Sequence, residues 1–483
     1  MARTLRSGGL VLALSLAACA SPYAPGADGA GTTAAGLARA NGDRGAAPET
    51  LSGGDPRSSQ SLDSRGGLTV ATANQLLVVL KPGVAFASFE ARVRAAGGEV
   101  RGFDPRLGIA SVEDASPSAV AGEPGVEEVS RDPMRPRLHI LAGRVQDAPP
   151  PVPVGDQQPF QSLEWGLNVV QAPEAWATGD QGQGVTVAVL DTGVDADNPN
   201  LAPNLDLADS RSFVPGEDLT DLNGHGSHVA GIIAAARNGT GVAGVAPLAR
   251  IMSVKVLDKD AYGDDFDILE GIRYAADHHA NVINLSLEDR LQWGDGSTGD
   301  AEMAYERAIR YATMNGSLVV AGVGNDSEED RTSGWVHIPA DLPLVLGAAA
   351  VGPVGQKNFD AFARYSNWGS PMVQVAAPGG GVGWNAQTGP VIVDPRDLVF
   401  STWSTHAIPH VIDGITLGPA PWSYMAGTSM ASAFTSGVAA IAIAAHAEPP
   451  MAIAERIRRT AIGSGYNPYT GSGVVNALGV ATN

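Results

Sequence analysis

The sequence has few basic residues relative to acidic ones, and it lacks long hydrophobic runs. Lys and Arg number 31 against 51 Asp and Glu, which gives a net charge of −20 over 483 residues. A nucleic-acid partner needs a basic surface, so this balance argues against one and favours a soluble, self-repelling surface. The stretch closest to a membrane span, residues 438–447, is short and rich in alanine. The sequence therefore predicts no membrane-spanning helix.

Cysteine is nearly absent, and the position of the single one is informative. Cys19 has no internal partner for a disulfide, and it follows Arg3, Arg6 and an apolar run over 10–18. That pattern is typical of a signal peptide. The ending "LAAC" resembles the bacterial lipobox, in which the cysteine is lipidated and becomes the new N-terminus. We interpret residues 1–19 as an export signal that anchors the precursor to a membrane through Cys19 alone. An ordinary signal peptide with an incidental cysteine is the alternative.

Three segments of different composition follow before the main domain. Residues 20–72 are rich in Gly, Ala, Ser, Thr and Asp, which predicts a disordered tether. Residues 73–132 show the order β-α-β-β-α-β, which is typical of a small ferredoxin-like α+β domain. Residues 133–158 contain "APPPVP", which favours an extended, protease-accessible linker.

Apolar strands alternate with helical segments over residues 159–483. The strands are continuous apolar runs such as "VTVAVL", "IMSVKVL" and "NVINLSL", and "DDFDILEGIRYAADHHA" is a helical segment between two of them. This pattern predicts an α/β domain with a mostly parallel, doubly wound sheet. Sites in such folds lie beyond the carboxyl ends of the strands, so the polar residues there are the candidates.

Asp191 is the first of these candidates, in "VLDTGVD". An aspartate before a glycine at a strand end is commonly a plain turn residue. "DTG" also occurs in aspartic peptidases, which need a second such aspartate from the same chain or from a dimer. No second DTG or DSG occurs in this sequence, and the α/β alternation disagrees with their all-β fold.

Two further segments contain a candidate base and a candidate nucleophile. His225 stands between two glycines in "NGHGSHVAG"; a metal site with His228 is the alternative, but no HExxH motif occurs. We interpret His225 as the base and His228 as structural. Ser429, in "MAGTSMAS", begins a long apolar helix, where it could be a cap or a nucleophile beside the positive helix end. A neutral imidazole can take the serine proton, and an aspartate can orient that imidazole.

"VAVLDTGVD", "NGHGSHVAG" and "MAGTSMAS" resemble, in their order, the three signature blocks of the subtilisin-like serine peptidases. The resemblance covers about residues 160–480 and implies a serine endopeptidase with Asp191, His225 and Ser429 as its catalytic triad. It also implies that Asn325, in "VVAGVGND", stabilises the oxyanion together with the backbone N–H of Ser429. A non-catalytic lipoprotein that keeps the fold is the competing class, but all four positions hold working residue types.

The resemblance further implies how the precursor matures. Residues 73–132 resemble the inhibitory propeptide of this family, which assists folding and is then removed. Self-processing within residues 133–158 would separate the catalytic domain from both the propeptide and the lipid anchor. The sequence therefore predicts a zymogen held at the cell envelope and an enzyme that is released from it.

Substrate and calcium sites are also implied by the resemblance. A protein or peptide substrate would add a strand against two segments. These segments are Ser286, Leu287 and Glu288, and Gly322, Val323 and Gly324. A structural calcium could bind to the side chains of Gln161, Asn200 and Asn238 and the carbonyls of Ala236, Thr240 and Val242.

Four positions depart from the family pattern. Asn200 replaces the usual aspartate of the calcium site, which removes a charge. Glu288 replaces a glycine beside the first specificity pocket; it could favour Lys or Arg there, or point to solvent. Ala433 and Phe434 follow the nucleophile where the family has Pro and His, which alters the packing of the helix that carries Ser429.

Overall fold

The computed structural model describes residues 58–62, 68–72, 75–138, 141–143, 159–292, 296–330, 332–386, 389–412 and 415–483. The predicted signal peptide, Cys19 and the tether up to residue 57 lie outside the described residues.

The strands and helices are numbered separately in chain order. The strands are β1 (Ser58–Leu62), β2 (Leu68–Thr72), β3 (Leu76–Leu80), β4 (Glu99–Asp104), β5 (Ile109–Glu113), β6 (Val126–Arg131), β7 (Arg135–Pro136), β8 (Leu141–Gly143), β9 (Thr186–Asp191), β10 (Arg211–Ser212), β11 (Arg250–Lys255), β12 (Tyr262–Gly263), β13 (Val282–Leu285), β14 (Asp289–Gln292), β15 (Leu318–Gly322), β16 (Trp335–Ile338), β17 (Val345–Val351), β18 (Val375–Pro378), β19 (Gly383–Asn385), β20 (Gly389–Val391), β21 (Val399–Thr402), β22 (His410–Ile412), β23 (Ile415–Leu417) and β24 (Trp422–Ala426). The helices are α1 (Phe86–Ala95), α2 (Pro117–Ala121), α3 (Trp165–Val169), α4 (Ala172–Thr178), α5 (His225–Ala234), α6 (Asp265–Asp277), α7 (Gly296–Met314), α8 (Thr428–Ala445), α9 (Pro450–Thr460) and α10 (Ala477–Thr482).

A parallel sheet of seven strands forms the centre of the larger domain. Its order is β10-β11-β9-β13-β15-β17-β18, and every pairing is parallel. Alternate residues of β9 face opposite cores: Val187 packs in the cluster that contains α5 and α8, and Ala188 in the cluster that contains α6 and α7. Helices therefore cover both faces, which explains why the strands are apolar throughout and confirms the predicted α/β sheet.

The smaller unit is an antiparallel sheet of four strands with two helices. Its elements follow the order β3-α1-β4-β5-α2-β6, and its strands lie in the order β4-β5-β3-β6. One face has its own core, in which Val78 of β3 packs with Phe89 and Val93 of α1. Leu77 and Val79 of the opposite face belong to the cluster that contains α6 and α7. The sheet is therefore buried on both sides, and its second face packs on the larger domain.

The structure corrects two of the predicted segments. The end of the predicted tether is not disordered, because β1 and β2 pair as antiparallel strands. The beginning of the predicted linker is not an accessible chain either. There β7 pairs with β12, β8 pairs with β24, and Arg137 is only 1% exposed. Backbone hydrogen bonds to the larger domain hold this part of the chain in place.

The apolar stretch that the sequence analysis placed at residues 438–447 belongs to a longer helix, α8, which begins at Thr428. Among the described residues, α8 is long and apolar enough to cross a membrane by length and composition. However, 83% of it is buried inside the protein, and it packs against α5 and strands of the central sheet. Its apolar surface is therefore that of a core helix.

Candidate active site

Asp191 and His225 form a buried hydrogen-bonded pair. His225 Nδ1 lies 2.8 Å from Asp191 Oδ1 and 3.0 Å from Oδ2, and both side chains have no exposed surface. Asp191 is the last residue of β9, and His225 is the first residue of α5. With Nδ1 donating to the carboxylate, Nε2 is the nitrogen that can accept a proton. Nε2 is buried and has no hydrogen-bond partner among the described residues.

A close approach between α5 and the turn after β9 brings this pair together. A Cβ atom on Gly226 would lie 2.1 Å from the carbonyl oxygen of Gly193, so only glycine fits there. Gly226 N also donates to Thr192 Oγ1 at 3.0 Å, which joins the first turn of the helix to the turn. The glycine that follows His225 in the sequence is therefore required by the backbone packing.

Ser429 is the second residue of α8, directly after a strand and a one-residue turn. It is 5% exposed, and its Oγ donates to the carbonyl oxygen of Ser286 at 3.1 Å. Ser286 Oγ in turn donates to the Ser429 carbonyl at 2.9 Å. The alternative of a helix cap is not what the structure shows, because the hydroxyl points away from the helix and toward the segment predicted to bind substrate.

Asn325 lies three residues after the end of β15, where the sequence predicts an oxyanion donor. Its Oδ1 accepts a hydrogen bond of 2.8 Å from the backbone N–H of Thr428, the residue before Ser429. This bond fixes which side of the amide carries the N–H groups. Asn325 and Ser429 also line one small cavity together with Ser286 and Gly322.

The predicted substrate segments border this same cavity, which measures about 10 Å³. Five of their six residues line it: Ser286, Leu287, Glu288, Gly322 and Gly324. The sixth, Val323, is fully buried, and its carbonyl accepts a hydrogen bond from Asn367.

Glu288 is buried at the edge of the cavity rather than pointing to solvent. It is 7% exposed, and its Oε2 lies 3.6 Å from Nδ1 of His337. A Cβ atom at Gly324, where φ is +97°, would lie 2.0 Å from that same oxygen. Burial lowers the pKa of His337, but Glu288 and Glu328 raise it more, to about 10. The imidazole is therefore a buried cation among carboxylates, which sequence reasoning missed because His337 follows Glu288 by many residues.

His228 lies on the first turn of α5, three residues after His225, and is buried. Burial, followed by the nearby His225, lowers its pKa to about 3. Its ring packs edge-on against Trp403, with 6.2 Å between the centroids. A buried neutral imidazole beside a tryptophan agrees with a structural role.

The chain that follows the small unit occupies the cleft, a feature that sequence reasoning did not identify. β7 pairs with β12, and Arg137 N donates to the Ala261 carbonyl at 3.1 Å. On the other side, Glu288 N donates to the Arg137 carbonyl at 3.1 Å. Arg137 also lines the cavity that contains Ser429. Residues 135–137 thus lie as a strand between two segments of the larger domain, as an extended peptide substrate would.

The side chain of Arg137 is bound by carboxylates on both sides of this strand. Its guanidinium lies 2.8 Å from Asp265 Oδ1 and 3.2 Å from Asp289 Oδ2. Burial lowers the pKa of Arg137, but Asp265 and then Asp289 raise it above its ordinary value. In the sequence this site is visible only as "RPR" at 135–137 and "DD" at 264–265. Neither motif indicates that the other one lies beside it in the fold.

The predicted calcium ligands form a ring of oxygens, but a side-chain amide lies inside the ring. Asn200 Nδ2 lies 2.7 Å from the Thr240 carbonyl oxygen and 3.1 Å from that of Val242. It lies 3.4 Å from both the Ala236 carbonyl oxygen and Asn238 Oδ1. These four oxygens therefore surround an N–H donor group.

The orientation of the Asn200 amide follows from its other partners. Its Oδ1 accepts from Trp422 Nε1 at 3.2 Å and from Val242 N at 3.4 Å. Gln161 begins a short 3₁₀ helix, and the residue before it, Phe160, donates to the Gly241 carbonyl at 3.0 Å. Because a cation needs oxygen atoms, and an amide nitrogen faces the ring, these residues as arranged do not fit calcium.

Two other groups of side chains have the spacing of metal ligands. Asp195, Asp197 and His406 form one, and Glu288, Asp326 and His337 form the other. In each group the ligand atoms lie within 4.8 Å of one another. Side chains of the types that bind metal ions therefore also lie close together away from the predicted calcium ring.

Comparison with known proteins identifies the family. A model of the subtilase family matches residues 182–480. M-protease of Shouchella clausii (strain KSM-K16) is 35% identical over 319 residues, which cover 66% of this chain and 69% of M-protease. Subtilisin Savinase of Lederbergia lenta is also 35% identical over 319 residues, which cover 98% of its length.

Solved structures share the fold. Fervidolysin from Fervidobacterium pennivorans, a keratinolytic enzyme related to subtilisin, superposes with a TM-score of 0.67 at 24% identity. That match covers 86% of this chain and 61% of fervidolysin. The epidermin leader peptide processing serine protease of Staphylococcus aureus superposes with a TM-score of 0.66 at 21% identity, over 84% of this chain and 97% of its own. The family model covers more than half of the sequence, so this chain belongs to the subtilase family and is a serine endopeptidase.

Proposed function

We propose that Ser429, His225 and Asp191 hydrolyse peptide bonds through an acyl-enzyme intermediate. His225 Nε2 takes the proton of Ser429 Oγ while that oxygen bonds to the substrate carbonyl carbon. His225 then gives the proton to the departing amine nitrogen, and a water attacks the acyl ester in the same way. The observation that carries this assignment is the 2.8 Å contact between Nδ1 and Asp191, which leaves Nε2 for the serine.

Ser429 must turn its hydroxyl before it can react. In the precursor conformation Oγ donates to the Ser286 carbonyl rather than to His225. A substrate strand that pairs with the Ser286 segment would bring its own N–H to that carbonyl. Competition for this acceptor would release the hydroxyl toward Nε2, so substrate binding itself would favour the reactive rotamer.

The oxyanion that forms on the substrate carbonyl is stabilised by Asn325 and by the N–H of Ser429. The bond between Asn325 Oδ1 and Thr428 N directs the amide N–H groups away from Thr428. Their position is set before the substrate arrives, so little reorganisation is needed in the transition state.

Covalent labelling with a fluorophosphonate tests the assignment. Wild-type enzyme should be labelled, and Ser429→Ala should not. Ser436→Ala is a matched control, because Ser436 lies on the same helix and its Oγ donates to Asn284 Oδ1, away from the cleft. Labelling that persists in Ser429→Ala, or folded wild type without labelling, would refute the assignment.

The small unit, residues 73–132, acts as an inhibitory propeptide in this proposal. Its second face is buried on α6 and α7. Ion pairs link the small unit to the larger domain: Arg101 lies 2.9 Å from Asp267, and Arg307 lies 2.7 Å from Glu127. The chain leaves this unit directly into the cleft, so substrate cannot enter until the chain is cut and removed.

Self-processing would then cut one of the bonds between Leu138 and Leu141. Residues 135–138 lie against β12 and Glu288, on one side of Ser429. After them, β8 pairs with β24, the strand that precedes Ser429 in the chain. The cleavage site, which the sequence places anywhere within residues 133–158, is thereby limited to three bonds. N-terminal sequencing of the mature enzyme should begin at residue 139, 140 or 141, and Ser429→Ala should stay uncut. A mature N-terminus beyond residue 143 as the first product would contradict this position.

Glu288 gives the first specificity pocket a preference for Lys or Arg in this proposal. Its buried carboxylate borders the cavity beside Ser429, where a basic side chain could form charge-assisted hydrogen bonds. A peptide library that varies the residue before the cut should show this preference in wild type. An unchanged profile in Glu288→Gly would rule it out.

Export and lipid anchoring through Cys19 complete the proposal. They rest on the signal-peptide pattern, since these residues lie outside the described part of the chain. Cell fractionation should find the Ser429→Ala precursor in membranes and a shortened wild type in the soluble fraction. A Cys19→Ser precursor that stays equally membrane-bound would refute the anchor.

A further inference from the structure

Among the described residues, the groups that hydrogen-bond to or pair with the Arg137 side chain all belong to the larger domain. Arg137 Nε donates to the Gly263 carbonyl at 3.0 Å, and its Nη2 donates to Asp265 Oδ1 at 2.8 Å. Its Nη1 lies 3.2 Å from Asp289 Oδ2. Tyr305 donates its hydroxyl to the same Asp265 oxygen at 2.9 Å, which orients that carboxylate. The pocket therefore remains when residues 135–138 leave.

The pocket also lies in the path of a substrate strand. The backbone of Arg137 is held by Ala261 on one side and by Glu288 on the other, both at 3.1 Å. Glu288 belongs to a segment proposed to bind substrate. A peptide that replaces residues 135–138 would follow the same path, and one of its side chains would enter the same pocket.

Removal of the precursor segment leaves two carboxylates without their cations. Asp289 pairs with both Arg135 and Arg137, and Asp265 pairs with Arg137. With the precursor segment in place, Arg137 and Asp265 are each 1% exposed, so the ion pair between them is shielded from water. The planar, forked guanidinium matches carboxylates on two sides, whereas an ammonium group offers a single point of charge.

We propose that Asp265 and Asp289 form a subsite of the substrate cleft that selects arginine, and that Arg137 occupies this subsite in the precursor. The inference rests on the proposed endopeptidase function and on cleavage between Leu138 and Leu141. Cleavage after residue 138, 139 or 140 makes Arg137 the second, third or fourth residue before the cut. The enzyme would therefore prefer substrates with an arginine two to four residues before the bond that it hydrolyses.

A simpler explanation is that this ion pair only docks the precursor segment. In that case the mature enzyme would show no preference for arginine, because nothing in its cleft would need a cation. Substrate preference of the mature enzyme thus separates the two explanations.

The test uses enzyme that has matured from the full-length chain and fluorescence-quenched peptides that copy residues 132–145. Arg135 is replaced by Ala in every peptide, and position 137 carries Arg, Lys or Gln. Hydrogen bonds to charged groups predict roughly 10- to 100-fold higher kcat/KM for Arg than for Gln, with Lys between them. Equal cleavage of the Arg and Gln peptides by wild type would overturn the proposal.

Enzyme variants then assign the preference to the pocket. Asp265→Asn and Asp289→Asn should each bring the Arg-to-Gln ratio toward one, while cleavage of the Gln peptide changes little. Asp267→Asn is the matched control, since Asp267 lies on the same first turn of α6 but contacts Arg101 of the small unit. A ratio that is unchanged in both pocket variants would also overturn the proposal.

Two readouts keep this test separate from that of the proposed function. Fluorophosphonate labelling counts the active sites, and a chain without serine peptidase activity would neither be labelled nor cut the Gln peptide. Failure of the subsite alone would leave both signals intact and remove only the arginine preference. If Asp265→Asn does not mature, the Arg-to-Gln ratio of kcat/KM in wild type and in Asp289→Asn still tests the proposed subsite.

Discussion

Replacement of Asn200 by aspartate should create a calcium site in the loop that surrounds this side chain. In the wild type, the Asn200 amide donates into a ring of oxygens where the family is expected to hold a cation. Aspartate places an acceptor in the same position. Without a cation, its carboxylate would face carbonyl oxygens, and with calcium it would supply the missing negative ligand.

The size of the effect follows from the hydrogen bonds that are lost. An amide NH₂ has two hydrogens, and the two shortest contacts are those to Thr240 at 2.7 Å and Val242 at 3.1 Å. Each buried acceptor left without a donor costs about 1–3 kcal/mol, so Asn200→Asp should lose about 2–6 kcal/mol in chelator. Calcium at 100 times its dissociation constant would restore about 2.7 kcal/mol. For a domain of about 325 residues the unfolding entropy is about 0.7 kcal/mol/K, so this corresponds to roughly 4 °C in Tm.

Calorimetry of full-length protein in the Ser429→Ala background measures this without self-digestion. Asn200→Asp should melt higher in calcium than in EDTA, and the Tm of the Asn200 parent should be the same in both. Asn198→Asp is a matched control, because Asn198 is equally buried and donates to the carbonyls of Trp403 and Pro421. It should be destabilised without rescue by calcium, since only two oxygens oppose its amide.

Two outcomes would refute the reasoning. One is a chelator effect on the parent that equals the effect on Asn200→Asp, because the parent ring would then already hold a cation. The other is an Asn200→Asp variant as stable as its parent in EDTA, because the amide would then contribute nothing to the loop.

Three further predictions follow from the site. Asn325→Ala should lower kcat about 10²- to 10³-fold with little change in KM; a large rise in KM at constant kcat would contradict the oxyanion role. His225→Ala should abolish turnover, whereas His228→Gln should mainly destabilise the protein; equal losses that zinc restores would reopen the metal alternative. His337 has a pKa raised above 6.5 to about 10, so its stabilisation is complete below pH 6.5 and is lost as pH rises through 10. Urea unfolding of His337→Gln should therefore show a stability deficit at pH 7 that shrinks above pH 10, and a deficit independent of pH would refute it.

The sequence was sufficient to predict the central sheet because the information is local. Strands buried on both faces must be apolar at every position, and runs such as "VTVAVL" show this directly. The positions of Asp191 and His225 follow from the same logic, since each stands at the end of an element that the sequence delimits. The glycines around His225 agree with the close packing that the structure shows at Gly226.

The cleft could not be predicted in this way, because its contacts join distant parts of the chain. Arg137 and Asp265 are 128 residues apart, and no periodicity links them. The orientation of Asn200 depends on where the carbonyls of a separate loop point, which residue type alone does not determine. Sequence reasoning found that asparagine replaces the usual aspartate of the calcium ring, but not that the amide nitrogen of Asn200 faces the ring oxygens.

Cleavage of the chain does not by itself release the enzyme from the proposed anchor. The exposed ion pairs, such as Arg106 with Asp277 at 2.5 Å, are screened by salt and contribute less than about 1 kcal/mol each. The buried contacts are different. Asp132 is fully buried and accepts the N–H groups of Asp265 and Phe266 at the start of α6, at 2.6 and 3.1 Å. These bonds and the apolar sheet face do not depend on salt, and they remain after a bond between Leu138 and Leu141 is cut. The small unit would therefore hold the cleaved enzyme at the membrane until it is itself degraded, so that release takes two proteolytic events and only the first is intramolecular.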